Sequence, residues 1–145
     1  MKIFALNSSP RKKRSNTNRI LLPFLEGARE AGAETELVYL QGLKINPCLG
    51  CFNCWLQTPG ECIQKDDHPP LLKKMLDADV VVYATPLYVF GMSAQMKLFF
   101  DRIVPMAKPF IELHDGHCTH PSRVERKKNA GMVVISNCGF WELDN

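Results

Sequence analysis

Cysteine is the residue type in this sequence most suited to metal or redox chemistry, and four of the six cysteines lie close together. Two residues separate Cys48 from Cys51 and Cys51 from Cys54, and seven more precede Cys62. Because the N-terminal apolar run is too short for a signal-peptide core, we expect a cytoplasmic, reducing setting. The clustered thiols therefore predict metal, cluster or redox chemistry rather than a disulfide scaffold.

The spacing leaves several interpretations of the cysteine-rich loop, residues 46–65, open. Three thiolates within seven residues suit one corner of a cubane iron–sulfur cluster. Structural zinc sites more often use two separated Cys-x2-Cys pairs, and a redox-active disulfide is a further alternative. Cys118 and Cys138 have no visible cluster partner and are interpreted as buried or incidental thiols. The histidines within residues 114–120 lack a second anchoring pair and are interpreted as surface residues.

The loop at residues 7–17 combines hydroxyl groups and basic side chains with the start of a helix. Ser15, Asn16 and Thr17 can cap that helix, whose apolar residues recur at helical spacing. Backbone N–H groups, hydroxyls and a helix N-terminus together favour phosphate, although a solvated basic loop is the alternative. The loop lacks a glycine-rich dinucleotide fingerprint and a Walker lysine pattern, so a mononucleotide phosphate fits it better.

Two further loops also come after apolar runs. Residues 84–93 contain aromatic and apolar side chains with a flexible Gly91, which suits a flat ring system with polar edges. The alternative is a tight crossover in which Tyr88 and Phe90 simply pack. Residues 136–140 come after the last apolar run and would lie nearby.

The elements that must position these loops alternate along the chain. Strands are predicted at residues 2–6, 35–40, 79–84 and 131–136, and helices from Ser15 to Gly32 and at 70–78 and 93–104. Near-continuous apolar strands separated by helices predict a doubly wound parallel sheet with helices on both faces, in one domain over residues 1–145. Ligands bind such sheets beyond the carboxyl ends of the strands, where the three loops would meet.

Composition excludes several classes of protein. The chain has 145 residues, 46% of them hydrophobic and 23% charged, which is ordinary for one globular domain. A net charge of +3 is too small to indicate nucleic acid. No apolar run approaches the ~18 residues of a membrane span, so no nucleic-acid or membrane partner is expected. The basic run from Arg123 to Lys128 could attract the phosphate of NADPH, but such runs are more often solvated.

Several segments, in the right order, resemble the flavodoxin-like NAD(P)H-dependent FMN reductases over nearly the whole chain. These segments are Asn7–Arg11, Ser15–Thr17, Ala84–Tyr88, Gly91–Lys97 and Asp101-Arg102. The segment Pro47–Cys54 is similar to the iron–sulfur flavoprotein branch. The resemblance implies a flavodoxin-like three-layer fold that binds FMN.

The resemblance also implies roles for individual residues. The FMN phosphate would be held by Ser8, Arg11, Ser15, Asn16 and Thr17. The isoalloxazine ring would be lined by Pro86, Leu87, Tyr88, Phe90 and Gly91, and the pocket completed by Asn137, Cys138 and Gly139. No catalytic side chain is expected, because the flavin carries out the bond-changing chemistry.

The same resemblance implies a [4Fe–4S] cluster on Cys48, Cys51, Cys54 and Cys62, with a gap before Cys62 at the long end for that branch. Flavin alone remains an alternative. The implied function is electron transfer from NAD(P)H or a protein donor to a quinone, flavin or iron–sulfur acceptor. Partners would be a small redox substrate or an electron-carrier protein. The alternatives are a non-enzymatic FMN or iron–sulfur carrier or redox sensor, and a zinc-stabilised interaction module.

The end of the chain departs from the implied fold. A flavodoxin-like domain normally has five strands and a final helix, but only four strands are predicted, so we expect the last strand and helix to be absent. The apolar surface left uncovered would favour association. We therefore expect a homodimer or homotetramer in which a partner subunit covers that surface.

Overall fold

A computed structural model describes residues 1–124 and 130–139 of the chain. The elements in chain order are β1 (Lys2–Asn7), α1 (Asn16–Glu30), β2 (Glu34–Tyr39), α2 (Asn53–Leu56), α3 (His68–Asp77), β3 (Val80–Tyr88), β4 (Gly91–Met92), α4 (Ala94–Phe100), β5 (Glu112–His114), β6 (His117–Thr119) and β7 (Gly131–Asn137). Single 3-10 turns lie at Lys12–Arg14 and Val104–Met106. Residues 140–145, among them Phe140 of the third loop, lie outside the described residues, as do residues 125–129 of the basic segment.

Within the described residues, four parallel strands form the central sheet in the order β2-β1-β3-β7. Leu6 of β1 lies opposite Val38 of β2 on one side and Tyr83 of β3 on the other. The opposite edge of β3 pairs with β7, placing Val82 beside Val133. The short strand β4 turns back against the end of β3. The predicted parallel sheet is confirmed.

Helices cover both faces of the sheet because alternate residues of the central strands point to opposite sides. On one face Leu21 and Leu25 of α1 pack with Ile3 and Ala5 of β1. On the other face, the buried side chains come from α3, α4, β1 and β3. They are Leu71, Met75, Met96, Phe99, Phe4, Leu6, Val81 and Tyr83. The two cores produce the predicted three-layer, doubly wound arrangement.

The second loop is more regular than predicted. β3 continues through Pro86 to Tyr88, where a loop was expected. Pro86 is tolerated there because it lies opposite Asn137, where the pairing between β3 and β7 ends. Val89 and Phe90 then form a two-residue turn into β4, since Tyr88 pairs with Gly91. A short hairpin, β5–β6, likewise occupies part of the predicted irregular stretch at 108–129.

Helix α4, predicted at residues 93–104, is shorter than predicted. It ends at Phe100 rather than near Val104, and the chain then turns so that Arg102 is only 1% exposed. Asp101 lies just after the helix and forms its ion pair with Lys97 rather than with the neighbouring Arg102. None of the described helices is long and apolar enough to cross a membrane.

Candidate functional site

The loop after β1 is held by hydrogen bonds to the sheet and to α1. The side chain of Asn7 accepts the Ser9 N–H at 2.9 Å. The Ser8 N–H donates to the Ala84 carbonyl of β3 at 2.9 Å. Ser15 caps α1, because its Oγ accepts the N–H of Asn18 at 3.0 Å. The start of α1 is thereby fixed beside the carboxyl ends of β1 and β3.

Three loops meet in a cavity of about 140 Å³ at this edge of the sheet, which we call the three-loop cavity. The lining residues are Ser9, Arg11, Ser15, Asn16, Thr17, Pro86, Leu87, Tyr88, Asn137, Cys138 and Gly139. The Thr17 hydroxyl lies 2.6 Å from Asn137 Oδ1, to which it donates, so the first loop is bonded to the third across 120 residues. The cavity therefore brings together ten of the thirteen residues predicted to bind FMN and adds Ser9.

Ser8, Phe90 and Gly91 do not line this cavity. The Ser8 side chain is buried, with its Oγ 3.3 Å from the Ala84 carbonyl and 2.8 Å from Ser93 Oγ. Ser8 therefore ties the loop to the start of α4. Phe90 is 99% exposed in the turn between β3 and β4. A direct role for these three residues in flavin binding stays a prediction.

The electrostatics of the first loop favour an anion. Arg11 is followed by Lys12, Lys13 and Arg14, and α1 has no acidic residue in its first turn. The unpaired N–H groups and the dipole of α1 add positive potential at the same end. A second cavity of about 560 Å³ lies against residues 10–14 and Tyr39. Burial raises the pKa of Tyr39 above its ordinary value, and its hydroxyl donates to Asn18 Oδ1 at 2.8 Å.

The cysteine-rich loop is closed at its base by bonds between the segments that enter and leave it. These bonds run from Lys44 N–H to Asp67 Oδ2 (2.7 Å), from Asn46 N–H to Asp66 Oδ2 (2.9 Å) and from Gln64 Nε2 to the Pro47 carbonyl (3.0 Å). Between the first two cysteines, Gly50 has a φ of +62°, which favours glycine. The two ends of the loop are therefore held together by hydrogen bonds where it leaves and rejoins the fold.

The four thiols of this loop share one neighbourhood. Cys48 and Cys51 are exposed, whereas Cys54 and Cys62 are partly buried. Partial burial raises the pKa of Cys54. The negative charges of Cys62, Cys51 and Cys48 raise this pKa further, and one backbone hydrogen bond partly lowers it. Each of the other three thiols is therefore close enough to Cys54 to act on it electrostatically.

Their arrangement bears on which metal group fits. Among the described residues, no three Cys, His, Asp or Glu side chains are arranged to hold a single metal ion. A zinc site gathers its thiolates around one ion at about 2.3 Å. A cubane binds its cysteines at separate corners, so its ligands are spread more widely. Four thiols in one loop are the donor set of a cubane cluster, and zinc accepts the same four ligands.

Aromatic contacts hold the short helix α2 of this loop against the rest of the fold. The Trp55 ring lies 5.0 Å from the Phe52 ring and 5.2 Å from His120, measured between centroids. Its Nε1 donates to the Val104 carbonyl at 3.1 Å. Trp55 thus anchors the loop beside the thiols.

The remaining cysteines and histidines separate into exposed and buried positions. Cys118 and Cys138 are both exposed, which rules out burial and leaves the alternative of incidental thiols for Cys118, while Cys138 lines the three-loop cavity as predicted. The exposed His114, His117 and His120 agree with their interpretation as surface residues. His68, predicted at a helix entry, is the first residue of α3 and is fully buried.

Residues 1–137 match the family described as NADPH-dependent FMN reductase. The chain belongs to this FMN reductase family. An iron–sulfur flavoprotein of Archaeoglobus fulgidus is 38% identical over 139 residues, covering 96% of this chain and 56% of that one. Another, of Methanocaldococcus jannaschii, is 38% identical over 106 residues, covering 73% and 53%. The chain spans about half the length of the curated relatives it matches.

Solved structures share the fold of this FMN reductase family member. An NAD(P)H:quinone oxidoreductase from Methanothermobacter marburgensis superposes with a TM-score of 0.69 at 20% identity, covering 96% of this chain and 64% of that one. An FMN-dependent NADH-azoreductase from Bacillus anthracis, solved in complex with FMN, gives 0.66 at 19%, covering 100% and 73%. These identities show the flavodoxin-like fold alone, and that predicted fold is confirmed.

Two residues of interest are not identified from the sequence. Ser9 lines the cavity although the phosphate was expected at Ser8, whose hydroxyl is bonded to Ala84 and Ser93; both serines are buried. Arg102 was singled out only within the segment Asp101-Arg102 of the resemblance, yet it is buried against the cysteine-rich loop. The sequence around Arg102, just after helix α4, contains no local pattern that predicts this burial.

Proposed function

We propose that this chain binds FMN and acts as an NAD(P)H-dependent oxidoreductase that passes electrons to a quinone, flavin or iron–sulfur acceptor. The observation that carries the proposal is the meeting of three separate loops in one cavity at the carboxyl edge of the sheet. Such an edge is where doubly wound folds bind nucleotides. Membership of the FMN reductase family supports the same ligand.

The enclosed part of the cavity suits the phosphate end of FMN. Its volume of about 140 Å³ is well below the roughly 300–1,000 Å³ of a pocket that encloses a whole ligand. Ser9, Arg11 and the N–H groups at the start of α1 would hold the phosphate. The hydroxyl proton of Ser15 is already donated to the Lys12 carbonyl at 2.7 Å, so Ser15 contributes mainly by capping the helix.

The open side of the cavity suits the ring end. Leu87 and Tyr88 are 44% and 46% exposed there and offer flat apolar surfaces. Bound FMN would supply both two-electron and one-electron chemistry. The side chains of this chain would therefore bind the flavin, orient it and exclude water from it, and no catalytic side chain is proposed.

We also infer that Cys48, Cys51, Cys54 and Cys62 hold a [4Fe–4S] cluster. Four free cysteines in this one loop, closed by hydrogen bonds at its base, support this inference. The relatives from Archaeoglobus and Methanocaldococcus are named iron–sulfur flavoproteins. A cluster would give electrons a one-electron route into or out of the flavin.

Anaerobic purification followed by an absorption spectrum, with iron and acid-labile sulfide assayed on the same sample, tests both cofactors. We expect flavin bands, a broad brown shoulder and about four irons per chain. Flavin without iron would contradict the cluster alone. A colourless protein that takes up no added FMN would contradict the whole proposal.

A pair of variants tests the phosphate site. Arg11 lines the three-loop cavity, whereas Arg14 lines only the neighbouring one. Arg11→Ala should weaken FMN binding about tenfold and leave riboflavin, which has no phosphate, nearly unaffected, since a charge-assisted hydrogen bond contributes about 1.5–3 kcal/mol. Arg14→Ala is the matched control and should change FMN affinity much less. Equal losses in both variants, measured by flavin fluorescence titration, would point to non-specific attraction.

Turnover separates an enzyme from an electron carrier. Steady-state oxidation of NADH and NADPH should depend on bound FMN and on an added quinone or flavin acceptor. FMN binding without turnover with any acceptor would favour the carrier.

We also propose that the protein is a homodimer or homotetramer. Met132 and Val134 of β7 are 65% and 60% exposed, on the face opposite the side chains that pack towards α1. Exposed apolar side chains on one face favour association. Sedimentation velocity should give a mass at least twice 16.4 kDa, and a monodisperse monomer would contradict the proposal.

A further inference from the structure

Arg102 is a buried cation outside the three-loop cavity. It lies two residues after α4 and is 1% exposed. Its Nη1 donates to Asp66 Oδ2 and, at 3.3 Å, to the Asn46 carbonyl. Its Nη2 donates to Cys62 Sγ at 3.4 Å. A buried charge is costly unless it is paired and hydrogen-bonded, so these partners have to offset its burial, and only Nε has no hydrogen-bond partner among the described residues.

Asp66 supplies the opposite charge. Its Oδ2 also accepts the Asn46 N–H at 2.9 Å, and its Oδ1 accepts the His68 N–H at 3.1 Å. Burial acting alone raises the pKa of Asp66, but the bonds from Arg102 and the two N–H groups outweigh it and bring the pKa below its ordinary value. Arg102 and Asp66 are therefore a fixed ion pair at the base of the cysteine-rich loop.

The second arm of the guanidinium is directed to Cys62. Asp66 and Asn46 engage Nη1, and Nη2 donates to the sulfur. A charged N–H donor is best matched by a negative acceptor, and a cysteine that binds iron does so as a thiolate. Hydrogen bonds to the sulfurs are among the factors that set the reduction potential of an iron–sulfur cluster.

We propose that Arg102 positions Cys62 as the fourth cluster ligand and raises the reduction potential of the cluster through the Nη2–H···Sγ bond. The inference rests on the cluster proposed above. Seven residues separate Cys54 from Cys62, and the Gly60 N–H donates to the Cys54 carbonyl within that segment. The bond from Arg102, itself paired with Asp66, adds a fixed partner at the Cys62 sulfur. The donor also stabilises the reduced cluster more than the oxidised one, because the reduced cluster carries one more negative charge.

Arg102→Lys tests the sulfur bond while keeping the positive charge. Lysine can pair with Asp66 as a point charge but lacks the second planar arm. We expect unchanged FMN and iron content. The equilibrium constant for one-electron reduction of the cluster should fall about tenfold, which is about 59 mV. Arg123→Lys is the matched control, because Arg123 also packs against this loop, at Gly60, but makes no hydrogen bond to a cysteine among the described residues.

A double variant, Asp66→Asn with Arg102→Met, removes both charges together and leaves no unpaired buried charge. Because the net charge is unchanged, a fall in the potential would report the lost sulfur bond. Loss of iron at unchanged FMN content and melting temperature would equally support the positioning role. Redox titration followed by electron paramagnetic resonance gives the potential, and iron and sulfide assays give the cluster content.

Two outcomes would contradict different parts of the inference. Folded variants with a full iron content and the wild-type potential would overturn the role of Arg102 and leave the cluster proposal intact. Wild-type protein that holds no iron and sulfide after anaerobic purification would overturn the cluster itself, and the role of Arg102 with it.

Discussion

Individual polar side chains of the three-loop cavity differ in whether they are free to bind a ligand. The hydroxyl protons of Ser15 and Thr17 are donated to protein acceptors, and both residues are buried. Arg11 and Asn16 are exposed. In the proposed site, Ser15 and Thr17 would therefore keep the loop rigid, while Arg11 and Asn16 would be free to contact an anion.

Thr17→Val should weaken FMN binding without preventing folding. The substitution keeps the shape of the side chain but removes its 2.6 Å bond to Asn137, so the first and third loops lose their direct link. We expect a loss of about 1 kcal/mol in unfolding free energy and a several-fold weaker FMN affinity. Thr35→Val, which removes only an exposed bond from Arg29, is the control. Equal FMN affinity in the two variants by fluorescence titration would show that the link is unimportant.

His68 gives a residue-scale prediction about pH. The side chain is fully buried, its Nε2 lies 3.0 Å from the Phe99 carbonyl, and its Nδ1 has no hydrogen-bond partner among the described residues. Burial lowers the pKa of His68, and the positive charge of Arg102 lowers it further. The hydrogen bond to Phe99 and the charge of Asp66 raise this pKa, but by less, so the pKa stays below its ordinary value. The unfolded chain therefore binds a proton at a higher pH than the folded one does.

The direction of the pH dependence comes from that difference. Stability is fully present above the unfolded pKa of about 6.5 and should fall as the pH drops through the lowered folded pKa. His68→Gln keeps a donor to Phe99 and removes the titration, so its unfolding free energy should depend less on pH between about 7 and 5. His120→Gln, at an exposed histidine, should behave as wild type. Urea melts across this pH range measure the difference, and parallel curves for all three proteins would refute the prediction.

Among the elements, the turn between β3 and β4 is the most strained. Val89 and Phe90 have φ values of +47° and +62°, a left-handed conformation that costs most residues about 1 kcal/mol or more. The side chains offer no burial in return, since they are 94% and 99% exposed. Two-residue hairpins of this shape favour Asn-Gly. The residue pair in this turn therefore lowers the stability of the hairpin relative to an Asn-Gly turn.

Replacing the turn with Val89→Asn and Phe90→Gly should raise the unfolding free energy by about 1 kcal/mol. FMN affinity should stay unchanged, because neither side chain lines the cavity. Thermal and urea melts give the stability, and fluorescence titration gives the affinity. Phe90→Leu is the control, since it keeps the backbone strain and should leave stability nearly unchanged. A weaker FMN affinity in the Asn-Gly variant would instead support the predicted contact of Phe90 with the flavin.

At the scale of the whole molecule, the parallel sheet joins groups that are distant in sequence. β1, β3 and β7 end at one edge, so residues 9–17, 86–88 and 137–139 line a single cavity. Any ligand that contacts all three loops is lost when the sheet unfolds. FMN binding should therefore be coupled to global stability.

FMN at about one hundred times its dissociation constant should raise the unfolding free energy by about 2.7 kcal/mol. For a chain of this size that corresponds to roughly 5–10 °C in melting temperature. Riboflavin at the same concentration should give a smaller shift, because it cannot use the phosphate loop. Differential scanning calorimetry measures both shifts. A melting temperature that is unaffected by FMN would contradict binding to the native state.

Local patterns were sufficient to predict the sheet and the three segments that meet at the cavity, whereas the individual FMN-binding residues came from the family resemblance. Buried strands such as β1 and β3 are apolar at successive positions, and Ser15 is a favoured helix cap, so each signal lies within a few residues of sequence. The meeting of the three loops then comes from a general property of parallel sheets, whose strands end at the same edge. These features depend on periodicity and chain direction, which the amino-acid order by itself determines.

Other features were decided only by tertiary packing. Whether Ser8 or Ser9 faces the cavity depends on a turn whose bonds reach Ala84 and Ser93, more than 70 residues away. The burial of Arg102 depends on Asp66 and Cys62, which the closed loop brings beneath α4. A buried charge is stable only with partners in place, and sequence neighbours do not reveal such distant partners. The amino-acid order thus determined the scaffold and its binding edge, while the folded chain alone decided which polar groups are free and which are paired.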